Sequence, residues 1–487
     1  MQIEKILNQC VVKSKELLQL GLYQDCLKII NQALKIDPEN YEFLKIKSLA
    51  LFIDNQLEYS KELLLKLIEI NPSDIDNYEN LGQIYLKLKC LEKAHENMIK
   101  CCELSKKEKY VINISLFYKF IGKLETAIQT MEFFIKHETY TNESIKLLGI
   151  LHGQNKQYKR SINYLNQALL AEPENPQIHT DLAYCYHMIN EWNKAWKHYE
   201  YRLFKKSPIT DKINKYFDPN KKLKNKHDLF NKKIVIYCEQ GIGDYINFIR
   251  FIPNKENILL EAPPPIKSLL QKIGYKTFNL GDSIEYDFHC SVMSLPYILN
   301  NQIISKNKYI YIDEKYDFSK YKGFKLGIVW GGNPAHPNDK FRSLNLKYFD
   351  NLTKISNINV FSLQKDTRLR VYYENPNEKI DLTSESIGSY INLSDKMYDF
   401  LDTAKIINSL DLVISVDTSV MHLSSAMGVE TWGLISQYPD WRWGDVGSDN
   451  KWYDSLILFR NKDNWESVFE KIEYKLKEKV VNFHDLF

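Results

Sequence analysis

The sequence predicts an α-helical superhelix followed by an α/β unit of two lobes. Three observations lead there. Prolines and small residues recur with a fixed period over residues 1–205, a polar and Lys-rich stretch occupies 206–230, and beyond it short β-rich runs alternate with helical patterns. The 487 residues also exceed what a single hydrophobic core usually supports.

The repeat comes first along the chain. Pro38 in Lys35-Ile-Asp-Pro-Glu-Asn40 and Pro72 in Glu69-Ile-Asn-Pro-Ser-Asp74 lie 34 residues apart, and Pro173 falls close to three further periods on. Small residues recur where two helices must approach: Gly82 with Ala94, Gly149 with Ala168, Ala183 with Ala195. Tyr23, Tyr85, Tyr158, Tyr186 and Trp192 fill the gaps. Six helical hairpins fit into 1–205, and their period resembles that of tetratricopeptide repeats. The fourth, around Gly122 and Ala127, lacks the closing proline. One hairpin cannot cover its own apolar face, so such units stack, and the concave side is open to an extended peptide. Gln83, Leu86, Lys87, Tyr184, His187 and Met188 are expected on that side; the alternative is a scaffold that only packs.

Composition narrows the function classes. Hydrophobic residues make up 44% and charged residues 26%, ordinary values for a globular chain. Lys and Arg total 65 against 62 Asp and Glu, for a net charge of +3, so nucleic acid as a partner gains no support. The eight cysteines form no CxxC pair, which favours buried thiols over disulfides or zinc. No apolar run reaches the roughly 20 residues that span a bilayer, and residues 1–5 begin an amphipathic pattern, so a cytoplasmic location is expected.

From Lys232 onward, strands are expected at 234–238, 258–261, 326–330, 360–363, 412–416 and 431–435. Their alternation with helices implies parallel sheets. About 230 residues is too many for one small sheet, so the region is divided into lobes at 231–320 and 321–487, the latter ending in a helix that packs back. The cleft between two such lobes is the default ligand site.

Three segments carry candidate chemistry. In Glu239-Gln240-Gly241-Ile242-Gly243-Asp244 a strand runs through glycines into an amphipathic helix. No glycine occupies position 246, as a dinucleotide fingerprint needs, and no Walker loop occurs. Asp244 can cap that helix or take a proton from an acceptor hydroxyl. In Trp330-Gly331-Gly332-Asn333-Pro334 a strand meets two glycines, after which Lys340, Arg342 and Ser343 offer cations and a hydroxyl for a diphosphate, or form a solvated basic turn. In Asp417-Thr418-Ser419-Val-Met-His422 a strand turns directly into a helix, whose N-terminus favours an anion. There too Asp417 or Thr418 can simply cap, and His422 can simply pack.

Residues 417–428 resemble the Asp-Thr-Gly-Leu-x-His-Leu-Ala-Ala-Ala-Leu signature of bacterial ADP-heptose glycosyltransferases, and Gly243-Asp244 resembles the start of their acceptor lobe. With Trp330-Gly-Gly-Asn-Pro, Arg342-Ser343, Ser362-Leu-Gln364-Lys365, Asp440-Trp-Arg-Trp443, Trp452-Tyr453 and Leu458-Phe-Arg460, the order of motifs is similar to that of bacterial tetratricopeptide proteins carrying this glycosyltransferase domain. The resemblance implies a GT-B fold of two Rossmann-like lobes. It places Asp244 as base, with Glu239, Gln240, Gly241 and Gly243 in the acceptor-lobe loop. Lys340, Arg342, Ser343, Gln364, Asp417, Thr418, Ser419 and His422 fall on the donor side. Ser419 stands where the heptosyltransferase loop has glycine, and Lys340-Phe-Arg does not reproduce that family's basic spacing.

The expectation is a metal-independent, inverting transfer from a nucleotide sugar to a hydroxyl, on a protein held by the repeats, with no cofactor. The only Asp-x-Asp pair, Asp74-Ile-Asp76, lies in the repeats rather than beside the lobes. Two rival readings stand: a non-catalytic adaptor with a degenerate nucleotide-binding domain, and a sugar-nucleotide epimerase.

Overall fold

A computed structural model of the chain describes residues 2–300, 305–336, 338–365, 386–387 and 389–484. The chain divides into two compact units, Met1–Asp181 and Leu182–Phe487.

The first unit consists of antiparallel helical hairpins, from Gln2–Gln19 with Tyr23–Ile36 through Asn142–Gln154 with Tyr158–Ala171. Each hairpin must reverse in a tight turn, and the reversal has a single device. Gly21, Asn55, Lys89, Gly122, Lys156 and Asn190 all have positive φ between 59° and 79°. Those positions are 34, 34, 33, 34 and 34 residues apart, so the repeat seen in the prolines is also a repeat of left-handed helix ends. The last of them, Asn190, lies in the second unit, between helices Pro176–Met188 and Trp192–Tyr199. Glycine takes this conformation without a Cβ clash, whereas lysine is strained there.

Packing within the hairpins depends on individual small residues. A Cβ on Gly149 would lie 2.7 Å from Leu165 Cδ2, so the glycine is what lets these helices close. A Cβ on Gly82 would meet nothing nearer than Asn97 Cβ at 3.6 Å. Ser161 Oγ donates to Gly149 O at 2.6 Å and Ser60 Oγ to Ser48 O at 2.7 Å, so both buried hydroxyls are satisfied inside the stack.

The second unit contains two sheets. Strands β1 (Ile234–Tyr237), β2 (Ile258–Glu261), β3 (Lys276–Phe278) and β4 (Phe288–Ser291) form a parallel sheet in the order β3-β2-β1-β4. The larger sheet holds β5 (Phe324–Val329), β6 (Ile358–Ser362), β7 (Ser386–Ile387), β8 (Tyr390–Asn392), β9 (Leu412–Val416), β10 (Thr431–Ile435) and β11 (Leu456–Arg460). Its order is β11-β10-β9-β5-β6-β8-β7, with only β7 antiparallel to its neighbour among the described strands. β1, β9 and β10 are buried along their whole length, as strands covered on both faces must be. The C-terminal helix Trp465–His484 contributes Val468, Phe469, Ile472, Leu476 and Val480 to the core on the larger sheet.

Both sheets change winding direction. The chain runs β1-β2-β3 one way and then places β4 on the other side of β1; it runs β5-β6-β8 one way and places β9 on the other side of β5. In doubly wound α/β folds such reversals mark where ligands bind, outside the carboxyl ends of the strands.

One expectation is corrected here. Tyr184, His187 and Met188 do not line an open groove. Tyr184 and Met188 pack against the core of the second unit, and His187 is 2% exposed with its ring stacked on Trp441 at 4.0 Å. Within the second unit these three side chains face its core rather than solvent. Among the described residues no helix is long and apolar enough to cross a membrane.

Candidate functional site

The motif loops all leave the carboxyl ends of strands. After β1 the chain passes Glu239 and Gln240 and enters helix Ile242–Phe248, with Gly241 as its N-cap and Asp244 in its first turn. After β9, Thr418 caps helix Ser419–Ala426 with no side-chain bond to the helix. These two helix starts touch. A Cβ on Gly243 would lie 3.0 Å from His422 Cδ2 and 3.4 Å from Ser419 Cα, so a glycine is what permits the approach.

Asp244 is engaged at both oxygens. Oδ2 accepts from Gly241 N at 3.0 Å, and Oδ1 accepts from Arg442 Nη2 at 2.5 Å. Burial raises its proton affinity, and the Arg442 charge opposes that rise. Arg442 also donates from Nη1 to Asp440 Oδ1 at 2.7 Å. The residue is only 7% exposed, and its guanidinium lies over the Trp441 ring at 4.3 Å.

Arg342 is placed by the β5 loop. Leu344 N donates to Trp330 O at 2.8 Å, so the excursion from β5 closes on itself. Inside it Ser343 Oγ accepts from Gly332 N at 2.8 Å and donates to Asp339 Oδ1 at 3.0 Å. Arg342 donates from Nε to Asp339 Oδ1 at 3.2 Å and from Nη1 to Asp417 O at 3.0 Å. Its guanidinium thus bridges the ends of β5 and β9, where the winding reverses. Gln364 spends both ends of its amide on Gly331, accepting from N at 2.9 Å and donating to O at 3.2 Å, which fixes the shape of the glycine turn. Lys340 is exposed and its Nζ lies over Phe341 at 4.8 Å, apart from this network.

Asp417 keeps 23% of its side chain exposed, and burial together with Asp440 pushes its carboxyl up to about 6, against the pull of Arg342 and Arg442. His422 sits beside it, with Nε2 4.0 Å from Asp417 Oδ1 and Nδ1 2.8 Å from Tyr453 Oη. Burial, with Arg442 and Arg250, holds this imidazole well below its usual range, so it is neutral. Thr418 Oγ1 is 3.0 Å from Ser415 Oγ.

The remaining loop residues have structural partners. Glu239 is 7% exposed and accepts from Arg202 Nε at 2.7 Å and from the Ser291 hydroxyl, which ties β1 to β4 at the other reversal. Gln240 Nε2 donates to Tyr199 Oη at 3.1 Å. The structure therefore gathers Asp244, Gly243, Arg342, Asp417, Thr418, Ser419 and His422 around one junction of loops, surrounds it with Ser343 and Gln364, and leaves Lys340 at its edge. Asp339 belongs to the same network and was not singled out from sequence; Arg442, Asp440 and Tyr453 belong to it too, and the sequence placed them only within resemblance motifs, with no role. The available signal was Arg442 itself, a cation between two tryptophans, which needs a buried counter-ion.

The comparisons with known proteins concern the repeats. A family model described as "Tetratricopeptide repeat" matches residues 63–96. BBSome complex member BBS4 of Bos taurus is 23% identical over 155 residues, which are 32% of this chain and 30% of that protein, so the chain spans under a third of that relative. A tetratricopeptide repeat protein of Parabacteroides merdae aligns with a TM-score of 0.37 at 16% identity, covering 43% of this chain and 84% of that one. Pseudomonas aeruginosa pilF aligns with a TM-score of 0.36 at 13% identity, covering 44% and 99%. The chain carries tetratricopeptide repeats, an architecture consistent with a protein-interaction adaptor.

Proposed function

We propose that the α/β unit is a glycosyltransferase that moves a sugar from a nucleotide sugar to a hydroxyl, and that the repeats present the acceptor, a protein. The observation that carries this reading is the meeting of the Gly243-Asp244 helix start, after β1, with the loops after β9 and β10, the first of which Arg342 ties to the loop after β5, at the strand ends where the larger sheet reverses. Crevices of this kind bind nucleotides in doubly wound α/β folds.

The chemistry asks for a base, a cradle for the departing phosphate and contacts to the sugar. The acceptor hydroxyl gives its proton to the Asp244 carboxylate as its oxygen bonds to the anomeric carbon. The bond from that carbon to the phosphate oxygen breaks, and the nucleoside diphosphate leaves with the electron pair. One displacement inverts the anomeric centre. In this reading Arg342, bonded to Asp417 O at the end of β9, and the first amides of helix Ser419–Ala426 neutralise the leaving oxygens. Asp417, titrating near 6, is suited to bonding sugar hydroxyls either as acceptor or as donor.

The second reading, a non-catalytic adaptor, is favoured by one feature: both oxygens of Asp244 are already occupied. Incubation of the full chain with a panel of nucleotide sugars and candidate partner proteins separates the readings. Transfer predicts nucleoside diphosphate release and a partner heavier by one sugar; an adaptor predicts bound partner of unchanged mass. A sugar altered without any acceptor would instead indicate an epimerase.

A further inference from the structure

Arg442 spans the two sheets. It follows β10 of the larger sheet, and reaches the first turn of the helix that follows β1 of the smaller one. Two of its N–H groups hold Asp244 and Asp440, at 2.5 and 2.7 Å. Its Nε–H has no acceptor among the described residues although the side chain is only 6% exposed. An unbonded N–H on a buried guanidinium is costly and asks for an acceptor. A planar fork of this kind matches phosphate oxygens, with which it forms paired bonds. A second cation, Arg342, bonds Asp417 O at 3.0 Å and contributes to the field at that carboxyl together with Arg442.

Asp244 has the complementary problem. With Oδ1 on Arg442 and Oδ2 on Gly241 N, it is poorly placed to accept a proton from a hydroxyl. Removing the guanidinium leaves an unpaired carboxylate with 21% of its side chain exposed, whose proton affinity partial burial raises.

We infer that Arg442 is a diphosphate-responsive latch on Asp244. The diphosphate of a nucleotide sugar takes the guanidinium, including the unpartnered Nε–H, and Asp244 is freed to act as base only when the donor is in place. The inference rests on the glycosyl-transfer reading of Asp244, and makes Arg442 both a donor contact and the residue that positions the base. Donor and carboxylate compete for one cation, and that competition has a signature that a purely structural ion pair lacks.

Calorimetric titration of the full chain with inorganic pyrophosphate and with uridine, adenosine, guanosine and cytidine diphosphates tests it, using wild type, Asp244→Asn and Arg442→Lys. The tightest diphosphate should bind Asp244→Asn about five- to tenfold more tightly than wild type, because its competitor is gone, and Arg442→Lys at least roughly tenfold more weakly, because the fork is lost. Wild-type affinity should also rise relative to Asp244→Asn as the pH falls and Asp244 is protonated. Equal or weaker binding by Asp244→Asn, or unchanged binding by Arg442→Lys, overturns the latch while leaving the donor site standing. Absence of binding by the wild type overturns both. Should Asp244→Asn fail to fold, Arg442→Lys and the wild-type pH profile still decide.

Discussion

Gly332→Ala is a one-methyl perturbation whose effect can be worked out from the geometry. An added Cβ would lie 2.5 Å from Arg342 Nε and 2.6 Å from Cζ and Nη2, well inside contact distance. The obstructing atoms are the head of a long side chain, so the backbone need not move; the guanidinium swings away. In doing so it gives up the bonds to Asp339 Oδ1 and Asp417 O. Hydrogen bonds to charged groups contribute about 1.5–3 kcal/mol each when buried, and with 18% of the Arg342 side chain in contact with water the net loss should be about 1–2 kcal/mol in total. Urea unfolding of Gly332→Ala, Arg342→Ala and the double variant measures it as a cycle. The methyl should cost about 1–2 kcal/mol alone and close to nothing once Arg342 is already alanine, since the two then share one cause. An equal cost of the methyl in both backgrounds would show instead that something other than Arg342 resists it.

Further expectations follow from the same geometry. Gly149→Ala should destabilise the repeat unit by about 1–3 kcal/mol, because Leu165 stands 2.7 Å from the new atom, whereas Gly82→Ala should be neutral or stabilising by up to about 1 kcal/mol; thermal unfolding of the pair checks this. Lys89→Gly should stabilise by about 0.5–1 kcal/mol, since relief of left-handed strain at φ 59° exceeds the entropy that glycine loses. The Asp417 carboxyl titrates near 6 in the fold and near 4 when unfolded, so the unfolded chain releases this proton first as pH rises. The wild type should therefore lose about 1–2 kcal/mol relative to Asp417→Asn between roughly pH 4 and pH 6, a difference that denaturant titrations across that window read directly.

Much of the fold was legible because it is periodic. The prolines and the small residues marked the hairpins, and the six positive-φ turns recur at the same interval. The expected strands correspond to β1, β2, β5, β6, β9 and β10; β1, β9 and β10 are buried throughout and the other three along most of their length. β3 and β8 are only three residues long, and β4, Phe288-His-Cys-Ser291, mixes polar and apolar residues, so none offers a pattern of its own. The site was legible where a glycine marks a close approach: Gly243 against His422 and Gly332 against Arg342. It was not legible where partners lie far apart in sequence. Asp244 and Arg442 are separated by 198 positions, and nothing local in either segment names the other. Glu239 likewise reads as a loop carboxylate until Arg202 is seen to neutralise it.

A crystal structure with the tightest-binding nucleoside diphosphate would show where the diphosphate sits and what becomes of the Asp244–Arg442 pair. Phosphate oxygens are expected within hydrogen-bonding distance of Arg342, Arg442 and the first amides of helix Ser419–Ala426, with the Asp244 carboxylate parted from Arg442. A nucleotide seated elsewhere on the chain, with that ion pair intact, would contradict this.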